Sequence, residues 1–288
     1  MFPQLLVQGI ATGAVYALVG LGFTMVFRTL NQVIFSQGHV FMAGSFLGFA
    51  IVSKFPVGPV TAILMVAVAG FIFGIILDRL AFRKLYSANH MNFVIATIGL
   101  GIVLQNGIRI FYPEPVKYPA LFGTKVYEFS GIRIAEPFFW VVGVALIAVT
   151  LLHLFFTYSR HGRALRAVAS DRVVASAMGI NVNLAIMMIF AISTSVAAIG
   201  GLLIGPLYYA SFDMGDMVGL KAFSAAIIGG INSVPGTIVG GIIIGVLENL
   251  SAGYISSAYK DAVVFAVLII MLLVRPHGLF GRAIPTKV

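Results

Sequence analysis

Six stretches of this chain contain no aspartate, glutamate, lysine or arginine: residues 1–27, 55–77, 85–108, 137–159, 173–212 and 222–247. About 20 apolar residues, rising about 1.5 Å each in a helix, cross the ~30 Å hydrocarbon core of a bilayer. Most of these stretches are that long or longer. A soluble globule needs a charged surface, and here 9% of residues are charged against 60% hydrophobic. The sequence therefore predicts an all-α polytopic membrane protein of about eight transmembrane helices, some of them broken.

The spans are expected at 5–27, 32–53, 57–79, 91–112, 138–158, 184–208, a split segment 218–232 plus 234–252, and 258–274. The split falls at Gly229-Gly230-Ile231-Asn232-Ser233-Val234-Pro235-Gly236. A Gly/Pro turn within apolar sequence breaks a helix, and broken backbone at membrane depth survives only where protein buries it or it lines a watery cavity. The stretch Asn31 to Gly48 is similar, with Gln32, Ser36, Gln37 and His39 around Gly38 and Gly44. Two interrupted segments, one in each half, point to an inverted repeat around a central pathway. The whole of 1–288 reads as a single transmembrane domain.

Lys/Arg bias in short loops sets the orientation. Arg79, Arg83 and Lys84 form one basic cluster, Arg160, Arg163, Arg166 and Arg172 a second, and Arg275, Arg282 and Lys287 a third. With the spans above, all three fall on one side together with Arg28. That side is predicted to be cytoplasmic, which places the C-terminus inside and the N-terminus outside. The first charge is Arg28, so residues 1–27 read as a retained span rather than a cleaved signal. The loop 113–137 is then external, and Val126-Tyr127-Glu128-Phe129 and Ile132-Arg133-Ile134 about Ser130-Gly131 predict a small hairpin.

The net charge of +9 fits basic inner loops and anionic lipid head groups rather than nucleic acid. The chain has no cysteine, no GxxxxGK[ST], no HExxH and no GxSxG. Its five histidines show no ligand spacing. No cofactor, metal or catalytic set is therefore expected. Asp213 and Asp216 read as marking an external loop end near Tyr208-Tyr209 rather than a catalytic carboxylate pair. Gly9/Gly13, Gly70/Gly74, Gly201/Gly205, Gly236/Gly240 and Gly241/Gly245 have the GxxxG spacing that lets helix backbones approach closely in lipid.

The most specific segment is 159–183, the one long amphipathic stretch between spans. Arg160, Arg163 and Arg166 recur every three residues, Leu165, Val168 and Ala169 supply a narrow apolar face, and Gly179 is placed to end the helix. A basic helix of this kind can lie on the inner leaflet or dock a cytoplasmic partner. Gly162-Arg163-Ala164-Leu165-Arg166-Ala167-Val168-Ala169, followed by Asp171, Ala175 and Met178-Gly179-Ile180-Asn181, resembles the cytoplasmic loop of branched-chain amino acid ABC importer permeases. So do Gly219-Leu220-Lys221-Ala222-Phe223 through Leu247-Glu248, and the ending Asp261 through Arg275-Pro276-His277-Gly278-Leu279-Phe280-Gly281. The similarity covers essentially the whole chain. Members usually carry Asn-Phe-Ala/Ser-His-Gly where this chain has Ile34-Phe35-Ser36-Gln37-Gly38.

The resemblance implies a permease subunit that performs no covalent chemistry and binds no cofactor. It implies a second permease chain, two cytoplasmic ATPase subunits and an external substrate-binding protein, all at a bacterial or archaeal inner membrane. Arg160, Gly162, Arg163, Leu165, Arg166, Asp171 and Gly179 are the expected coupling residues. Ser36, Gln37, His39, Asn106, Ser193, Ser195, Asn232 and Glu248 are the candidates for the translocation path. Such a sparse polar set among apolar side chains suits a small aliphatic zwitterion; related permeases also carry urea or short amides. Glu248 follows 26 charge-free residues, and is expected to be a buried carboxylate bonded to small-residue helix backbone. Lys260-Asp261, and Lys221 likewise, are expected to snorkel to the interface. A stand-alone channel or secondary carrier would need ionisable residues paired along its spans. An intramembrane enzyme would need a catalytic set.

Overall fold

A computed structural model of the chain describes residues 1–86, 89–129 and 132–281. The predicted C-terminal basic residues Arg282 and Lys287, and the hairpin turn Ser130-Gly131, lie outside the described residues. The architecture is mostly helical: α1 (Phe2–Leu30), α2 (Gln37–Lys54), α3 (Pro59–Leu77), α4 (His90–Phe111), α5 (Glu136–Tyr158), α6 (Arg160–Ser170), α7 (Arg172–Ala177), α8 (Val182–Ile204), α9 (Met214–Gly229), α10 (Val234–Tyr254) and α11 (Lys260–Val274). Strands β1 (Val126–Phe129) and β2 (Ile132–Ala135) pair antiparallel with Val126 opposite Ala135, as the alternation predicts.

Among the described residues six helices are long and apolar enough to cross a membrane: α1, α3 with its continuation to Leu85, α4, α5, α8 and α10. The other two of the eight expected spans, 32–53 and 258–274, fall on α2 and α11, and α9 is the first arm of the split segment. α2, α9 and α11 are shorter, at 18, 16 and 15 residues. α9 is cut short by the break at Gly230, whereas α2 is long enough but carries Gln37, His39 and Lys54. α3 runs on through a π-turn (Asp78–Phe82) and a 3-10 turn (Arg83–Leu85).

The helices differ sharply in depth. In α1 89% of the best spanning window is buried, whereas in α5 the figure is 11%. α1 and α8 form the centre, while α3, α4 and α5 present most of their apolar surface outward. Helices meet in lipid without a hydrophobic drive, so contact depends on close approach. The α1–α10 seam shows this: a Cβ on Gly13 would stand 2.7 Å from the Gly241 carbonyl oxygen, and one on Gly245 2.3 Å from the Gly13 nitrogen. No side chain fits there.

Both expected breaks exist, one of them displaced. α1 stops at Asn31, which takes the left-handed conformation (φ 54°) and returns its N–H to the Phe27 carbonyl. The chain is irregular over 31–36 before α2 begins. Gly38 and Gly44, expected at the break, instead lie inside α2, where they admit the backbones of Gly215, Gly219 and Ala198. The second break, 230–233, turns on Gly230 at φ 105° and is recapped when Ser233 Oγ accepts from the Gly236 N–H at 3.2 Å.

Candidate functional site

The expected coupling segment folds as two helices rather than one. Ser159 Oγ accepts from the Gly162 N–H at 2.8 Å and starts α6. Gly162 is required because α6 folds back on the last turns of α5: a Cβ there would lie 2.2 Å from the Phe155 carbonyl oxygen. Leu165 and Val168 are buried, whereas Arg160, Arg163 and Arg166 stay at least partly exposed. The helix does not continue to Gly179, because Asp171 is extended (φ −157°) and its Oδ1 accepts from the N–H groups of Val173 and Val174 at 2.9 and 3.1 Å. Asp171 thus caps α7. Gly179 (φ 80°) closes α7, with Gly179 N–H bonded to Ser176 O and Ile180 N–H to Ala175 O. Val173 and Met178, on and just after α7, are apolar yet 80% and 74% exposed.

Arg172 departs from the other arginines of its cluster. Its Nε and Nη2 donate to the Thr29 carbonyl at 3.0 and 2.6 Å, so it closes the carboxyl end of α1 where the helix dipole favours a cation. Nothing in the spacing of the basic residues distinguishes it.

Above α6 opens a cavity of about 970 Å³ between α1, α5, α8 and the 232–235 turn. Met25, Arg28, Phe156, Arg166, Asn232 and Phe280 contribute to its wall. Phe280 is there because the segment after α11 doubles back onto the break. Leu279 N–H reaches the Ile228 carbonyl at 2.8 Å and Phe280 N–H the Gly229 carbonyl at 3.0 Å, which supplies donors to the end of α9. The basic ends of α1 and α6 and the 279–280 segment thus gather at one end of the bundle.

The remaining path candidates are dispersed. Gln37 Nε2 donates to the Ser193 carbonyl at 3.1 Å, and Ser36 and Ser193 keep buried hydroxyls with no hydrogen-bond partner among the described residues. Ser195 turns the other way and donates to the Ala67 carbonyl on α3 at 2.8 Å. Asn106 bonds the Ile102 carbonyl of its own helix at 2.9 Å. His39 Nε2 lies 3.0 Å from Asp216 Oδ1, and Gln105 Nε2 donates to Asp216 Oδ2 at 2.8 Å. Asp213 and Asp216 open α9 and do not act as a pair: Asp213 accepts from Ser211. Ile34, one of the two departures from the usual motif, is packed in the core. Neither Ile34 nor Gln37 lines the large cavity or the smaller one between α2, α4 and α9.

Glu248 and Lys221 correct the sequence reading most. Lys221 does not snorkel; it is 4% exposed, with Nζ 2.7 Å from Glu248 Oε1 and 2.6 Å from Asp261 Oδ1. Glu248 is not bonded to helix backbone: it also accepts from the Tyr16 hydroxyl at 2.6 Å and lies 3.4 Å from Lys260 Nζ. Isolated charges at this depth are too costly in Born energy to stay unpaired, so α9, α10 and α11 are drawn together by two cations and two anions. None of these five groups lines either of the two cavities, and the cluster ties α9, α10 and α11 together. A lysine and a glutamate of opposite sign, each alone in apolar sequence, are the available signal.

A multi-pass helical bundle with two broken segments, an exposed basic helix pair and a cavity above it defines a membrane permease. The chain belongs to the family described as branched-chain amino acid transport system / permease component, whose model matches residues 5–272. It is 37% identical to the high-affinity branched-chain amino acid transport system permease protein LivH of Salmonella typhimurium, covering 100% of this chain and 98% of that one. Against LivH of Escherichia coli the identity is 36%, with the same coverage. Against the permease protein BraD of Pseudomonas aeruginosa it is 33%, again over 100% and 98%.

Proposed function

We propose that this chain is the membrane-spanning subunit of an ATP-driven importer for branched-chain or related amino acids, working by alternating access. The observation that carries the reading is the α6–α7 pair: an exposed arginine ridge with the exposed apolar side chains of Val173 and Met178, seated on the bundle by Leu165 and Val168, directly beneath a wide cavity. Such a surface suits a cytoplasmic ATPase, and Arg160, Gly162, Arg163, Leu165, Arg166, Asp171 and Gly179 would transmit its motion. Full-length similarity to LivH and BraD supports the substrate class. The importer would comprise two ATPase subunits, a second permease chain and an external binding protein. The positive-inside rule puts the α6–α7 end in the cytoplasm and the hairpin outside. Selectivity then rests largely on the external protein, since a solute bound equally by both conformations drives no shift.

Deleting this chain alone should abolish uptake of radiolabelled leucine, isoleucine and valine at low external concentration, and an affinity-tagged chain should co-purify with an ATPase. Unchanged uptake of all three, with loss of urea or amide uptake, rejects the amino acid and keeps the importer. Transport by the purified chain alone in liposomes rejects the importer.

A further inference from the structure

A second cavity, of about 210 Å³, lies between α1, the 31–36 linker, α2, α4 and α9. It is smaller than the drug-sized pockets that begin at about 300 Å³, and it is of a scale for one small solute. Phe223 makes its floor with Phe23 and Phe35, at ring-centroid distances of 5.5 and 5.7 Å. Ile102 forms part of its α4 wall, 52% exposed. Its polar groups are gathered in one cluster, Asp216 with His39 and Gln105. The Asp216 side chain is half exposed, whereas both ring nitrogens of His39 are buried, with Nε2 facing Asp216 Oδ1. Asp216 and Phe223 stand two helical turns apart on α9, about 10 Å along the axis, so the polar and aromatic parts are separated.

We infer that this crevice is a transient binding site for the transported amino acid, a reading that rests on the proposed function. The ammonium group sits at Asp216, whose side chain is half exposed, and the aliphatic side chain on the Phe23, Phe35 and Phe223 floor, while His39, its Nε2 3.0 Å from Asp216 Oδ1, positions the Asp216 carboxylate. The lining discriminates by chemistry. An anion without an amine meets the Asp216 carboxylate. A polar side chain finds no partner among three phenyl rings and loses its hydrogen bonds with water. A branched aliphatic chain is accepted by the rings. The site lies beside the 31–36 break, where irregular backbone at membrane depth must line a cavity or be buried. Neither Ile34 nor Gln37 reaches it, so their departure from the usual motif leaves this site intact.

The test uses the complete importer reconstituted in proteoliposomes with its ATPases, second permease and binding protein. Two readouts are taken: concentration-dependent [14C]leucine uptake, and cross-linking by photo-leucine mapped by mass spectrometry. Photo-leucine should label peptides of α4 and α9, and excess leucine should suppress the labelling. Asp216→Asn removes a charged partner and should lower photo-leucine labelling and the maximal rate of leucine uptake about tenfold or more, while the half-maximal concentration, set by the external binding protein, stays near that of the wild type. Ile102→Trp, at an exposed position that leaves packing intact, narrows the crevice and should reduce leucine uptake more than valine uptake. The inference is overturned if labelling persists undiminished under excess leucine, as for a lipid chain or simple partitioning, or if both variants behave as wild type. A wild-type importer that carries none of the three amino acids overturns the functional reading itself. One that carries them with the crevice unlabelled overturns only the site.

Discussion

Lys221 Nζ stands 2.7 Å from Glu248 Oε1 across the two arms of the broken α9–α10 segment, and both side chains are buried. With Lys260 and Asp261 alongside, the local charge sums to zero. Lys221→Met alone leaves two carboxylates facing one partly exposed lysine and should lower stability by about 3–5 kcal/mol, the usual result of orphaning a buried charge. Lys221→Met with Glu248→Met leaves one cation and one anion, and should recover much of that loss. The apparent melting temperature in detergent checks both. A double variant no better than the worse single one would show that the pair matters through packing and not through charge.

The α1–α10 seam leaves no room for a side chain at Gly13 or Gly245. Gly245→Leu must push the helices apart, and overpacking of this kind costs about 1–3 kcal/mol or more. The amount of monodisperse protein extracted from membranes should fall. Gly143 on α5 provides the control: a Cβ there would meet nothing within 4 Å, and Gly143→Leu should leave the yield unchanged.

Docking through α6–α7 predicts loss of coupling without loss of fold. Val173 and Met178 are exposed, so Val173→Asp and Met178→Asp should leave the chain inserted and extractable while uptake falls at least about tenfold, the effect of placing an unpaired charge in a contact. Arg163→Glu should do the same, whereas Gly162→Pro loses the N–H that Ser159 Oγ accepts and meets the Phe155 carbonyl, so it should abolish uptake while also unseating α6 from α5. Normal substrate-stimulated ATP hydrolysis in all four would remove the docking surface from consideration.

The absence of cysteine makes topology directly measurable. In intact cells a membrane-impermeant thiol reagent should react with Lys125→Cys and spare Ser170→Cys, and permeabilisation should expose the second. Labelling of Ser170→Cys before permeabilisation inverts the orientation.

The spans and the hairpin are legible because each depends on local pattern: charge-free runs for the first, alternation around a two-residue turn for the second. What the pattern hides depends on encounter. Asp171 reads as one more polar position on a helix, and only its extended backbone turns it into the cap that divides α6 from α7. Gly38 reads like the breaker, but Asn31 breaks the chain and Gly38 serves helix contact. Lys221 reads as free to reach water, yet its partners lie on two later helices. Asp216 reads as a loop end because His39 and Gln105, which give it meaning, come from α2 and α4.

The seam between α1 and α10 also sets a timetable. α1, the most deeply buried of the six spanning helices, leaves the ribosome well ahead of α10, which closes against it. At about 5–20 residues per second, α1 waits on the order of ten seconds or more in the bilayer before α10 exists. During that wait its glycine face meets lipid alone. That face lets any backbone approach closely, so until α10 arrives it is the surface of α1 most open to pairing with the wrong helix. The glycines that make the finished contact tight also leave the unfinished chain in need of its proper partner.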